Sequence, residues 1–136
     1  GARYPQPMGH QFVVQLAHKP GALAALCREL ERQGVDLKAI GGGGIGEVGH
    51  VILKTADDVK TRAVLEAGSY TFIESESVLA EVDDQPGGML SVLDRLAAAG
   101  VNVYGHLFMG RWGERATFAF VVDDPAKARA ALGQEY

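Results

Sequence analysis

Two short turns hold the residues of this chain best suited to chemistry, His18-Lys19-Pro20-Gly21 and Asp84-Gln85-Pro86-Gly87. Each precedes a stretch with helical periodicity, so each would deliver the first turn of a helix, with unpaired backbone N–H groups and a positive dipole end. Gly21, Gly87 and Gly88 lack a Cβ, which lets a carboxylate approach that backbone closely. Asp84 offers a charge partner for an ammonium group. Asn102, on the strand expected after the helix, offers both a donor and an acceptor. A zwitterion held between turn and strand is the chemistry these residue types describe. The same residues admit a plainer reading, an ordinary Pro-Gly turn in which Asp84 only caps the helix that follows.

Other reactive groups organise less well. His10, His18, His50 and His106 show no metal-ligand spacing, and Cys27 falls on an apolar helix stripe, so neither a metal site nor a cofactor is expected. The aspartate pairs at 57–58, 83–84 and 123–124 invite an acid–base reading, but two of them precede helices as caps. No residue set resembles an activated nucleophile, and the chain reads as a binding protein, not an enzyme. The run Gly41-Gly42-Gly43-Gly44-Ile45-Gly46-Glu47-Val48-Gly49 matches a dinucleotide-binding glycine pattern twice. It lies between two expected strands with no helix to follow, so a flexible connecting loop is expected instead. Phe108 and Trp112, in the corresponding later segment, are expected to pack or to form an interface.

The elements that must position the two turns are themselves repeated. A shift of 66 positions places Pro20-Gly21 on Pro86-Gly87, Leu30 on Leu96, Gly34-Val35 on Gly100-Val101 and Asp57-Asp58 on Asp123-Asp124, with no gap. Leu23, Leu26, Cys27 and Leu30 form an i, i+3, i+4, i+7 stripe, and Met89, Val92, Leu93 and Leu96 form the same one. Gly34 and Gly100 stand where a left-handed residue closes each helix. Strand-like runs 12–16 and 78–82 precede the helices, and alternating runs 35–39 and 101–104 follow them. Third strands are expected at 50–55 and 116–122. Asp58 and Asp124 are then expected to cap second helices, the latter with Pro125 at its first position.

Residues 70–74 supply a fourth strand for the first repeat. The order β-α-β-β-α-β predicts an α+β fold of tandem ferredoxin-like units, each an antiparallel sheet with its helices on one face. The expected units span 10–76 and 77–136. Tyr136 aligns with Tyr70, so the second sheet is expected to lack its fourth strand or to borrow one.

Composition narrows the partners. A formal charge of −4 in 136 residues argues against nucleic acid. No apolar run approaches the roughly 20 residues that span a bilayer, so no membrane is expected. The single cysteine requires no oxidising compartment, which suggests the cytoplasm. The first nine residues, with Pro5 and Pro7, read as a loose arm without a signal-peptide pattern.

The two turns, each opening an amphipathic helix that closes into Gly34-Val35-Asp36-Leu37 or Gly100-Val101-Asn102-Val103, resemble the ACT domain family, across about residues 11 to 136. The resemblance implies a tandem ACT protein that binds an amino acid and acts by ligand-dependent assembly or partner regulation, as a homodimer or with a regulated protein partner. It implies a ligand-binding set of Asp84, Gln85, Pro86, Gly87, Gly88, Met89 and Asn102 in the second repeat. In the first it implies His18, Lys19, Gly21, Ala22 and Leu23. The first turn departs from the family pattern by having His18 where the second has Asp84. The alternative is a ligand-free dimerisation or assembly module.

Overall fold

The computed structural model describes residues 9–134, with the elements β1 (His10–Ala17), α1 (Ala22–Arg32), β2 (Leu37–Ile45), β3 (Val48–Thr55), α2 (Asp58–Ala67) and β4 (Phe72–Glu76) in the first half. The second half contains β5 (Val78–Asp83), α3 (Gly88–Ala98), β6 (Val103–Trp112), β7 (Arg115–Val122) and α4 (Pro125–Ala131). Two compact units result, one of His10–Glu74 and one that takes in the chain from Ser75. Residues 1–8 of the expected nine-residue arm and the Tyr136 alignment lie outside the described residues.

In the first unit four strands lie in the order β2-β3-β1-β4. The pleat turns Phe12, Val14, Val51 and Leu53 to one face, where they pack with Leu26 and Leu30 of α1 and Leu65 of α2. Both helices therefore cover the same face of an antiparallel sheet, the split βαβ arrangement that the sequence order predicts. The second unit repeats it with order β5-β7-β6. Val78, Ala80, Val82, Phe120 and Val122 meet Val92, Leu96 and Ala128. Among the described residues its sheet has three strands. The Gln134 side-chain amide donates to the Leu79 carbonyl (2.5 Å) on β5.

Helix ends follow the glycines. Gly34 (φ 72°) and Gly100 (φ 74°) are left-handed, and each is followed by a paired closure. Val35 N–H donates to Leu30 O and Gly34 N–H to Glu31 O, both at 2.9 Å; Val101 to Leu96 and Gly100 to Ala97 repeat both bonds at 2.9 Å. This double closure satisfies carbonyls that the helix end would otherwise leave unpaired. At the second helices Asp57, not Asp58, is the cap of α2, accepting from Lys60 N–H, while Asp124 caps α4 as expected. Extended backbone at Asp57 (φ −144°) aims its carboxylate at the helix start, and Asp58 is already the first helical residue.

The repeat is not gapless. Val14 pairs with Val51 in the first unit, and its counterpart Ala80 pairs with Phe118, so the offset grows from 66 to 67 by the third strand. Both units have a bulge early in the second strand, at Leu37/Ala39 and at Val103/Gly105. The second unit has another at Phe108/Gly110, which absorbs Met109 as the inserted residue.

Candidate functional site

The glycine run is strand, not loop. β2 pairs with β3 from Leu37 through Ile45, leaving only Gly46 and Glu47 to turn the hairpin. Gly46 has φ 65° and Gly113, before Glu114, has φ 61°, as two-residue hairpin turns with glycine in first place require. A two-residue turn lets the ladder run to its end, and that places Gly41–Gly44 on the edge of the first sheet. Sequence reasoning missed this, although Gly-Glu recurs at 46–47 and 113–114.

The Pro-Gly turns are pinned to the hairpin tips. His18 N–H donates to Glu47 O (3.0 Å), and Asp84 N–H donates to Glu114 O (2.7 Å). Each helix then starts after a left-handed glycine, Gly21 or Gly87, both with φ 88°, and neither helix has a side-chain cap. Asp84 is therefore not a helix cap. Gly88 is obligatory for another reason. A Cβ there would lie 2.0 Å from the Asp83 carbonyl oxygen, so the turn folds back against its own strand too tightly for any side chain.

A cleft of about 410 Å³ opens beside the turn of the first unit. Its walls are His18 and Lys19 from the turn, Ala22 and Leu23 from α1, and Leu16, Ala17, Ile40 through Gly44, Gly49, His50 and Val51 from the sheet. Leu23 and Ile40, both 43% exposed, present apolar surface to it. Leu23 thus leaves the buried helix stripe, which consists of Leu26 and Leu30 with Cys27 half-buried. The His18 ring is held by its Nδ1, 3.0 Å from Gly46 O, and sits over Gly44, where a Cβ would come within 2.8 Å of it. Five of the expected residues, His18, Lys19, Ala22 and Leu23 at the cleft and Gly21 at the turn beside it, are thus brought together.

The corresponding cleft of the second unit, about 430 Å³, is lined by Val82 through Pro86, Met89, Arg111, Ala116 and Phe118. Asp84, Gln85, Pro86 and Met89 reach it, and Gly87 and Gly88 shape the turn. Here Asp84 already has a cationic partner, because Arg111 Nε donates to its carboxylate at 2.7 Å. Both side chains are about half exposed, so the pair contributes roughly 0–1 kcal/mol to stability. It nonetheless occupies the oxygen that sequence reasoning assigned to a ligand ammonium. Arg111 went unnoticed because its proximity to Asp84 depends on the register of β6, set by the bulge at Phe108/Gly110.

Asn102 does not join this cleft. Its N–H donates to the Asp123 carboxylate (3.0 Å), and its carbonyl accepts from Asp123 N–H (3.1 Å), beyond the end of β7. The Asp84 turn adjoins the start of β7, whose 8 residues separate the two by roughly 25 Å at a strand's rise. Placing Asn102 beside Asp84 overlooked that a crossover helix returns the chain to the opposite end of the sheet.

Among the described residues no group of histidines, cysteines and carboxylates could hold a metal ion, and no helix is long and apolar enough to cross a membrane. No protein-family model matches the chain, and no curated protein matches its sequence. Solved structures do share its fold. A protein of Bacteroides thetaiotaomicron is similar over 92% of this chain and 86% of its own, with TM-score 0.70 and 19% identity. The ligand-free regulatory subunit of aspartate kinase from Thermus thermophilus is similar over 94% and 91%, with TM-score 0.63 and 16% identity. That from Thermus flavus is similar over 92% and 91%, with TM-score 0.65 and 14% identity. The fold is thus the tandem ferredoxin-like one that these structures share.

Proposed function

We propose that this chain is a regulatory protein that binds an amino acid and passes on its occupancy by ligand-dependent assembly, as a homodimer or with a partner protein, in the cytoplasm. The observation that carries this reading is the open cleft built on the His18-Lys19-Pro20-Gly21 turn. At about 410 Å³ it lies in the range of small-molecule sites. It joins a helix N-terminus and Lys19, both suited to a carboxylate, with an edge strand whose outward C=O groups can accept from an ammonium. The fold shared with aspartate kinase regulatory subunits supports a regulatory role over a catalytic one. Regulation then amounts to a coupling free energy, because a ligand favouring one arrangement of the chain also favours whatever that arrangement binds.

A ligand-indifferent assembly module is the second reading. It is favoured by the exposed apolar side chains at the hairpin tips, Ile45 at 91% and Trp112 at 89%. Thermal unfolding against each common amino acid at millimolar concentration separates the two. A ligand at a hundred times its Kd stabilises by about 2.7 kcal/mol and raises the midpoint visibly. If every amino acid leaves the midpoint unmoved, the binding reading fails and the assembly reading stands.

A further inference from the structure

The strand register gives a residue-by-residue correspondence between the two clefts. Gly42 faces Val51 across the β2–β3 ladder, as Phe108 faces Phe118 across β6–β7. Gly44 faces Gly49 as Arg111 faces Ala116. In the second unit these positions form a filled column. Phe108 lies edge-on to Phe118 with ring centroids 5.7 Å apart, the Arg111 guanidinium stands 5.3 Å from the Phe108 centroid, and Arg111 ends on Asp84. In the first unit the column is reduced to Val51, two glycines and His18. A Cβ at Gly42 would press on the His50 carbonyl oxygen (2.3 Å) and one at Gly44 on the His18 ring (2.8 Å), so this strand stays bare and the cleft opens directly against its backbone.

We infer that the first unit's cleft is the ligand-accepting one and takes an amino acid with a bulky apolar side chain. That side chain lies along the bare strand at Gly42, whereas the second unit's cleft, of similar volume, is walled on that strand by Arg111, already paired with Asp84. This rests on the amino-acid reading above and narrows it to one site and one class. Leu16, Leu23, Ile40 and Val51 supply the apolar walls. No acidic side chain lines this cleft, so a ligand with a cationic side chain finds no partner there.

Calorimetry and ¹H–¹⁵N NMR on the whole chain test this, with L-phenylalanine and L-leucine against L-lysine and L-aspartate. The expected result is a single site per chain that prefers the apolar pair by about tenfold or more. The amides of Gly41–Gly44 should shift on titration, and those of Gly87, Gly88 and Gly110 should stay still. Leu23→Glu should weaken L-phenylalanine binding by about tenfold or more, with helix content unchanged because the residue is half exposed; Leu23→Met should retain it. Charged amino acids binding as well as apolar ones, two equal sites, or shifts confined to Gly87, Gly88 and Gly110 would each overturn this assignment while leaving amino-acid binding intact. Binding by no amino acid would instead remove the reading on which it rests.

Discussion

Gly100→Ala isolates one energetic term. A Cβ built at Gly100 meets nothing within 4 Å, so no steric cost arises, and only the left-handed backbone at φ 74° opposes the change. For an L residue that conformation costs about 1–2 kcal/mol. Alanine returns about 0.4–1 kcal/mol by restricting the unfolded chain. The net loss should be about 1 kcal/mol, and Gly34→Ala, at φ 72° with equally open space, should lose the same. With a urea m-value of about 1–3 kcal/mol/M, the midpoint falls by roughly 0.3–1 M. Ser69 provides the reverse experiment. It is the one non-glycine residue with positive φ (56°) among the described residues, and Tyr70 N–H to Leu65 O (3.0 Å) closes α2 around it as in the glycine cases. Ser69→Gly should therefore stabilise by about 0.5–1 kcal/mol. Urea titrations of the three variants followed by circular dichroism decide the matter. A neutral Gly100→Ala, or a destabilising Ser69→Gly, would refute the view that backbone strain governs these closures.

Further outcomes follow from other contacts. Gly88→Ala, whose Cβ would press on the Asp83 carbonyl, should cost more than Gly100→Ala, about 1–3 kcal/mol; a smaller loss in urea would show that the turn can shift. Asp57→Ala and Asp124→Ala should each cost about 1 kcal/mol by removing a helix cap, with Asp57→Asn and Asp124→Asn retaining most of it; alanine variants as stable as wild type would contradict the cap assignment. Glu74 is held at about 2, chiefly by hydrogen bonds from Arg62, with His10 adding to the effect. Its folded pKa lies below the unfolded one, so its stabilising contribution is complete above the ordinary carboxylate range and fades as pH falls toward 2. The stability gap between wild type and Glu74→Gln should narrow over that acid window, and thermal melts showing a constant gap would contradict it.

Elements fixed by local chemistry were legible in the sequence. The helix stripes, the closing glycines at 34 and 100, and the strand order all follow from periodicity and from residues with narrow conformational preferences. What the sequence concealed depends on register. The glycine run resembled a loop because glycine carries no alternation, yet Ile40 and Ile45 flank it as strand residues. Asp84 resembled a free carboxylate because Arg111 lies 27 positions away and reaches it only through a bulge. Asn102 resembled a site residue because proximity to the helix end was taken for proximity to the helix start. The candidate turns were visible, but the walls facing them were not, since pairing across strands sets those walls.

The glycine edge strand has a consequence for how firmly the cleft keeps its shape. In an ordinary strand a slip of one residue throws every side chain to the wrong face, and that penalty locks the pairing. Across Gly41–Gly44 there is no side chain to misplace. The alignment of β2 is therefore held by Leu37, Ala39 and Ile40 at one end and by Ile45 and the tight turn at Gly46-Glu47 at the other, while β6 is held along its middle by Leu107 and Phe108 as well. The wall that faces the cleft thus takes less of its register from side chains than the rest of its sheet does. A ligand seated against it would act as the missing side chains, fixing the register by its own contacts.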